Sequence, residues 1–296
     1  MPVTPRRAIH QSFLPEGDHR SFVWKYSEPI GGRRPRHFHS EPEFNIVARG
    51  SATIGIGDSV ITVRSGEIVA FPSGQDHVLL DSSPDLYLYA VGLAPSYSAE
   101  VLQDEPSLPL HVCIPERELR PVLDSAADLV ERDGADPLGA ELWQRLHWLA
   151  RRASSQSTRA THVLTRRTLQ LLREAPELPL TELAAALRAH PTEISRHLHR
   201  DMGMTLGRYR TRLKLLRLID LVDAGRDELM STAIVAGFGS YSQCHRSFQA
   251  ELDCSPRQFF FSGLRDAMQS AYADASRPAA FELPTALHSA LAKSHS

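Results

Sequence analysis

LTELAAALRAHPTEISRHL, residues 180–198, has the dimensions of two short helices joined by a tight turn. Ala184 is small where two helices must cross closely, and Leu187, Ile194 and Leu198 are spaced to share a core. The break between the two apolar patterns falls at residues 189–192, where Pro191 interrupts the chain. The segment therefore predicts a helix-turn-helix.

A second segment about fifty residues later repeats this logic: residues 232–248 read TAIVAGFGSYSQCHRSF. Between the two segments, Leu206 to Val222 predicts one helix of 17 residues, which at 1.5 Å per residue is about 25 Å long. Such a helix can hold two recognition helices close to one DNA turn apart, roughly 34 Å. Both can then enter successive major grooves on one face of a duplex.

The segment from 162 to 261 resembles the AraC/XylS family of bacterial transcription regulators. Residues 202–209, MGMTLGRY, resemble the entry to the family's linker helix, and residues 236–238 with Ser255, Pro256 and Phe259 resemble its C-terminal signature. The resemblance implies a bacterial-type, sequence-specific DNA-binding regulator with two helix-turn-helices. It also implies double-stranded DNA as a partner, with RNA polymerase as a further contact.

The candidate DNA-binding side chains lie at the start of each predicted recognition helix. Arginine and glutamine can form bidentate bonds to guanine and adenine, whereas serine and tyrosine more often hold phosphate. A phosphate contact or a solvent-facing position is the alternative for each of them. The candidates are Glu193, Arg196, His197 and Arg200 in the first unit, and Ser240, Tyr241, Gln243, His245 and Arg246 in the second.

The predicted linker helix is rich in cations. Ten residues without an acid contain Arg208, Arg210, Arg212, Lys214 and Arg217. Residues 160–263 hold 14 Lys+Arg and 11 Asp+Glu, whereas residues 1–159 hold 16 and 21. We therefore predict that Arg208 and Arg210 bind the phosphate backbone non-specifically. A solvated helix face, or salt bridges to Asp220 and Asp223, would produce the same pattern.

The N-terminal half has a different rhythm, in which short runs rich in β-branched and aromatic residues alternate with glycine-containing turns. Even spacing of this kind is typical of a sandwich or barrel. The predicted strands are 22–26, 44–48, 52–57, 59–63, 67–71, 77–80 and 86–91.

Two histidine-containing patterns lie within these strands. The first is G-x5-H-x-H-x3-E-x6-G, formed by Gly31, His37, His39, Glu43 and Gly50. The second is G-x5-P-x-G-x2-H, formed by Gly66, Pro72, Gly74 and His77. Together they resemble the two motifs of the cupin superfamily, with Asp81 where the second motif usually has asparagine. The resemblance implies a double-stranded β-barrel (jelly roll).

His37, His39, Glu43 and His77 are the candidate ligand site of this barrel. The first three share odd parity, so one regular strand would direct them to the same face, and another strand would bring in His77. Three imidazoles and a carboxylate suit Zn, Fe, Mn or Ni. Two alternatives stay open: the same groups can hydrogen-bond an organic effector without metal, and Glu43 can pair with Arg33, Arg34 or Arg36.

The remaining segments define a multidomain β plus α protein. After Pro95 apolar residues recur at helical spacing on both sides of Asp133-Gly134, which predicts a helical hairpin that packs on the barrel or forms a homodimer. The predicted organisation is a cupin-like sensor barrel at 1–98, the hairpin at 99–153, a serine-rich linker at 154–161, the all-α DNA-binding domain at 162–263 and a mobile tail at 264–296.

Length and composition limit the function classes. With 296 residues, 42% hydrophobic, the chain suits about two domains, and no apolar run approaches the roughly 18 residues of a membrane span. No secretory leader is evident, so we expect a cytoplasmic location. Cys113, Cys244 and Cys254 form no CxxC and are expected to be reduced thiols.

The predicted function is a transcription regulator, not an enzyme, whose barrel binds a small-molecule effector. The alternative is a cupin metalloenzyme, a dioxygenase or isomerase, with an accessory helical domain.

Overall fold

The computed structural model describes residues 8–11, 21–27, 34–95, 97, 111–131, 138–154 and 161–274. The seven predicted strands are all confirmed, each within two residues of its predicted ends. The strands are β1 Ile9–His10, β2 Ser21–Ser27, β3 His37–Phe38, β4 Glu43–Arg49, β5 Ser51–Ile56, β6 Ser59–Arg64, β7 Glu67–Phe71, β8 His77–Ser82, β9 Tyr87–Leu93 and β10 His111–Cys113.

These strands form two five-stranded sheets, in the orders β1-β3-β8-β5-β6 and β10-β7-β4-β9-β2. The strands pair antiparallel except for β1 with β3. Alternate residues point between the sheets and form a core that includes Val47, Ile54, Val63, Phe71 and Leu88, each no more than 6% exposed. The predicted cupin-like barrel is confirmed.

The predicted hairpin consists of α1 (Glu116–Glu131) and α2 (Leu138–Ser154). Their apolar faces pack on the second sheet, where Leu119, Val122 and Trp143 join Phe44 in one buried cluster. The Trp143 indole also donates a hydrogen bond to the Pro42 carbonyl at 3.1 Å. Of the two partners left open for this stripe, the barrel is therefore the one that it contacts.

The barrel extends further along the chain than predicted. β10 pairs with β7, so residues 111–113 belong to the barrel and not to the hairpin segment that was expected to begin at 99. A three-residue strand is too short to show a period in the sequence, which explains the error.

The C-terminal half contains eight described helices. The sequence predicts six of them, at 163–173, 180–188, 193–201, 206–222, 229–236 and 241–252, and all six are confirmed within two residues at each end. The eight helices are α3 Val163–Glu174, α4 Leu180–Leu187, α5 Pro191–Met202, α6 Leu206–Asp223, α7 Leu229–Val235, α8 Tyr241–Leu252, α9 Pro256–Phe261 and α10 Leu264–Asp274.

Two helix-turn-helix units flank the long helix α6. In the first, α4 and α5 pack through Leu183, Leu187, Ile194 and Leu198, all nearly inaccessible to solvent. In the second, α7 and α8 pack through buried Ala233, Ala236 and Phe248. The tight turn after α7 places Gly237 at φ +97°, a conformation that favours glycine.

Part of the expected mobile tail is ordered. Residues 264–274 form α10, which packs through buried Leu264 and Met268 onto the core of the second unit. The sequence pattern was misread there because only two of the side chains described between residues 264 and 270 are buried. Residues 275–296 of that tail, and residues 155–160 of the predicted linker, lie outside the described residues.

No described helix combines the length and the apolar character needed to cross a membrane. All three cysteines are free, as predicted: Cys113 is exposed, whereas Cys244 and Cys254 are buried.

Candidate functional site

The barrel brings the four predicted ligand residues together. His37, His39 and His77 each offer a ligand nitrogen, and these atoms lie within 4.8 Å of one another. His37 and His77 face each other across the β3/β8 ladder. The Glu43 carboxylate lies 3.2 Å from His39 Nε2 and 4.0 Å from His77 Nε2. All four side chains are buried.

These residues do not lie on one strand, as their odd-numbered spacing suggested. His37 lies in β3 of the first sheet and Glu43 begins β4 of the second, so no single strand carries both residues. The chain crosses between the sheets after Phe38. The expectation of one regular strand was wrong, because spacing alone does not reveal a change of sheet.

Hydrogen bonds define the tautomers of two histidines. His37 Nδ1 donates to the Pro35 carbonyl at 2.8 Å, and His77 Nδ1 donates to the Gln75 carbonyl at 3.2 Å, because a carbonyl oxygen can only accept. Burial lowers the pKa of His37 well below its usual value and that of His77 to about 4. Both rings are therefore neutral and carry a lone pair on Nε2, the form in which histidine binds metals.

His39 and Glu43 form an ion pair. Burial alone would lower the pKa of His39, but its hydrogen bond with Glu43 and the nearby negative charge raise the pKa above its usual value. Burial would likewise raise the pKa of Glu43, and the same hydrogen bond keeps it below its usual value. Asn45 also donates a hydrogen bond to Glu43.

Three members of the cluster, His37, Glu43 and His77, form one wall of a pocket in the barrel with a volume of about 110 Å³. The other walls are mainly apolar, and Lys25 and Arg34 add two cations. The apolar walls include Trp24, Tyr26, Ile54, Phe71, Val78, Leu79, Leu88 and Ala90. A cavity that is mostly apolar with a few convergent polar groups is the usual form of a small-molecule site.

The arginines proposed as alternative partners of Glu43 contact other groups. Arg36 pairs with Asp76 at 2.7 Å, and the Arg34 guanidinium lies 5.3 Å from the centre of the Trp24 ring. Arg33 lies outside the described residues.

On the first recognition helix, α5, two of the four candidate DNA-binding side chains are exposed and do not cap the helix. Arg196 and Arg200 are exposed, although Arg200 also pairs with Asp201 at 2.7 Å. Glu193 is exposed and accepts a hydrogen bond from the His190 amide, so it caps the helix. His197 stacks on His162 with 3.5 Å between ring centres and is half-buried.

The second recognition helix, α8, shows the same division. His245 and Arg246 are exposed. Ser240 caps the helix by accepting the Gln243 amide at 3.1 Å, and Gln243 Oε1 accepts the Gly239 amide at 2.8 Å. Tyr241 packs against the apolar core of the unit. Because the Gln243 carbonyl is engaged, only its NH2 group remains to face a base.

The cations of the linker helix α6 are largely engaged within the protein. Arg208 Nε donates to Glu251 at 3.0 Å, and Arg210 donates to the Leu178 carbonyl. Arg212 is fully buried. A phosphate contact by Arg208 or Arg210 stays a prediction, and it would require these bonds to be exchanged for DNA.

Sequence reasoning missed the acids that neutralise this helix. Asp76 and Glu251 are both buried and both accept from Arg212, at 2.6 and 2.8 Å. Asp76 directly precedes the motif residue His77, but the motif gives it no role. The signal that was present is that Arg212 occupies an apolar stripe with Leu206, Tyr209, Leu216 and Ile219.

Comparisons with known families agree with both halves of the chain. Residues 26–84 match the model of the cupin domain, and residues 183–261 match a model described as a helix-turn-helix domain. The chain therefore combines a cupin domain with a helix-turn-helix domain. No curated protein gives a significant sequence match.

Several solved structures are similar to this chain. ToxT from Vibrio cholerae O395 matches with a TM-score of 0.43 and 10% identity, covering 82% of this chain and 96% of ToxT. Wild-type ToxT from strain SCE256, solved with an unsaturated fatty acid bound, matches with 0.42 and 12%, covering 84% and 97%. Oxalate decarboxylase from Bacillus subtilis, described with Mn(II) centres, matches with 0.24 and 24%, covering 28% and 23%.

Proposed function

We propose that this cupin and AraC-type protein is a transcription regulator that binds a specific DNA sequence and responds to a small-molecule effector. The observation that carries the proposal is the pair of helix-turn-helix units on α6, with Arg196 and Arg246 exposed on the two recognition helices. Acting on DNA, the protein works in the cytoplasm, and we infer that it acts as a homodimer that also contacts RNA polymerase.

Selection from random double-stranded DNA tests this function. The full-length protein should enrich two sequence blocks, and a gel shift should show that the enriched duplex is preferred over a shuffled one. Specific sites are typically bound at least about 10³-fold more tightly than random DNA. No enrichment in repeated rounds would contradict the proposal.

The barrel pocket is the proposed effector site. Its apolar walls and the polar cluster at one side suit a ligand with an apolar body and at least one polar group. Mass spectrometry of the ligand that copurifies with the protein would identify the effector class, and Phe71→Trp, which fills the pocket beside His77, should abolish its retention.

We also propose that His37, His39, His77 and Glu43 bind one divalent metal ion. The donor set fits, because three buried imidazoles and a carboxylate converge and two of the imidazoles present lone pairs. Such an ion would supply a fixed positive charge for an oxygen ligand of the effector, while Asn45 orients Glu43. Elemental analysis should find about one metal per chain, lost when His37 and His39 are replaced by alanine.

The same cluster favours one second candidate, a cupin metalloenzyme. Its signature would be metal-dependent turnover of a small substrate by protein that shows no DNA preference. Metal-free protein that still binds its effector and its DNA normally would exclude a role for the metal in the regulator.

A further inference from the structure

Arg212 of the DNA-binding domain is buried where the linker helix α6 contacts a loop of the barrel. Arg212, in the middle of α6, is 0% exposed, and its Nη1 lies 2.6 Å from Asp76 Oδ1 and 3.2 Å from the Gly74 carbonyl. Gly74 and Asp76 belong to the loop between β7 and β8. This arginine therefore connects two parts of the chain that are 136 residues apart.

The contact is the centre of a larger ionic network. Asp76 also accepts from Arg36 at 2.7 Å, so one carboxylate binds an arginine of the barrel and an arginine of α6. Glu251 of α8 accepts from Arg212 at 2.8 Å and from Arg208 at 3.0 Å. The network thus includes the barrel, the linker helix and the second recognition helix.

A neighbouring backbone contact holds the first unit as well. The turn between β5 and β6 donates the Asp58 amide to the Gly203 carbonyl at 2.6 Å, and Gly203 follows the last residue of α5. A Cβ atom on Gly57 would lie 2.3 Å from that carbonyl, so the two backbones approach as closely as glycine allows. Gln75 adds a bond to the Met202 carbonyl at 3.2 Å.

The network is adjacent to the barrel pocket. Arg36 and Asp76 directly precede His37 and His77, the two histidines that face each other across the β3/β8 ladder. His77 also donates to Gln75, whose side chain reaches α5. A ligand that shifts these histidines must therefore shift the residues that hold the DNA-binding domain.

We propose that Asp76 and Arg212 form an interdomain latch that keeps the DNA-binding domain against the barrel until the pocket is occupied. In the closed arrangement Arg208 and Arg212 are neutralised by Glu251 and Asp76 and cannot meet phosphate. The net free energy of a buried ion pair is small because desolvation offsets the attraction, so an effector of ordinary affinity suffices to open it. The inference rests on the proposed function for its DNA consequence only.

A distance measurement on the full chain tests the latch without DNA. Spin labels on Cys113, which is exposed, and on Ala250→Cys, an exposed position of α8, report the arrangement of barrel and DNA-binding domain. Asp76→Asn removes the charge and keeps the shape. The double variant Asp76→Leu/Arg212→Met, used if Asp76→Asn fails to fold, removes both charges of the pair, while Glu251 keeps Arg208 and Arg36 keeps the Gly57 carbonyl as partners. The matched control is Asp85→Asn, an exposed acid of the same barrel.

The wild type and the control should show one narrow distance distribution, and both latch variants a broader and longer one. Their affinity for the selected duplex should rise about tenfold, within the usual range of coupling between sites. Unchanged distances would overturn the latch, and changed distances with unchanged DNA affinity would overturn its role in control. A wild type with no DNA preference would defeat the proposed function, while the distances would still decide whether the latch exists.

Discussion

The linker helix and the two recognition helices all carry arginines, yet the structure places these cations in opposite environments. Arg196 of α5 and Arg246 of α8 are exposed, whereas Arg212 of α6 is inaccessible to solvent and paired with two carboxylates. The recognition helices bury one face only, whereas α6 packs against both units and the barrel loop. Burial, and not the local density of charge, decides which arginines are available to DNA.

The buried position of Arg212 predicts that Arg212→Ala strongly destabilises the protein. The substitution leaves two buried carboxylates with fewer cations, and removing one partner of a buried pair costs about 3–5 kcal/mol of unfolding free energy. Urea unfolding measures the loss. Arg196→Ala, the exposed counterpart, should stay within about 0.5 kcal/mol of the wild type. Equal stability of the two variants would show that Arg212 is not held in the interior.

For DNA binding, Arg196 is the residue whose loss should matter. Arg196→Ala is expected to cost about 1–3 kcal/mol on the selected duplex and little on random DNA, because a base contact is lost and a phosphate contact is not. Fluorescence anisotropy titrations at two salt concentrations separate the cases. The same loss on every sequence would make Arg196 a backbone contact.

A buried histidine makes the free energy of unfolding depend on pH. His10 of β1 lies between Phe38 and Phe259, with 5.8 Å to each ring centre, and burial, with nearby Arg265 and His39, lowers its pKa from 6.5 to about 3. In the unfolded chain His10 takes up a proton near pH 6.5, whereas in the folded chain it stays neutral down to about pH 3. The free energy of unfolding therefore falls as the pH drops from about 6.5 towards 3. The contribution is about 1.4 kcal/mol per pH unit.

His10→Phe should therefore flatten the loss of stability between pH 6 and pH 5. The exposed His199→Phe is the control, and its pH profile should match that of the wild type. A His10→Phe profile as steep as that of the wild type would assign the acid sensitivity to other groups.

The hydrogen bond of the Gln243 side chain predicts a small loss of stability when it is removed. Its carbonyl accepts the Gly239 amide, and a hydrogen bond of this kind contributes about 0.5–1.5 kcal/mol, so Gln243→Ala should lose about that much stability. Gln243→Glu keeps the acceptor and should remain as stable as the wild type, while it loses the NH2 donor that can face a base. If Gln243→Ala unfolds like the wild type, the side chain is free to read adenine as the sequence suggested.

Much of this architecture could be predicted because its signals are local. The β-branched and aromatic residues of 44–48 and 67–71, and the helical spacing of Leu183, Leu187 and Ile194, each appear within a short window and give the right elements. The ligand residues were found because the family motifs name them, although the strand argument for His37 and Glu43 was wrong.

The remainder depends on contacts between distant segments. The network of Arg36, Asp76, Arg212 and Glu251 joins residues up to 215 positions apart by number, and no window of sequence contains it. Gln243 and His197 lie on the predicted recognition helices, but their hydrogen bonds and stacking are set by the three-dimensional surroundings. An arginine on an apolar stripe of a helix is the sequence feature that could have revealed the buried pair.

Hydroxyl-radical footprinting of the full-length protein on its selected duplex tests whether both helix-turn-helix units bind the same face of DNA. Two helix-turn-helix units joined by α6 should protect two tracts on one face of the DNA, centred about 10 base pairs apart. Arg196→Ala and Arg246→Ala should each weaken a different tract. A single protected tract, or two tracts on opposite faces, would contradict a regulator that binds DNA through both helix-turn-helix units.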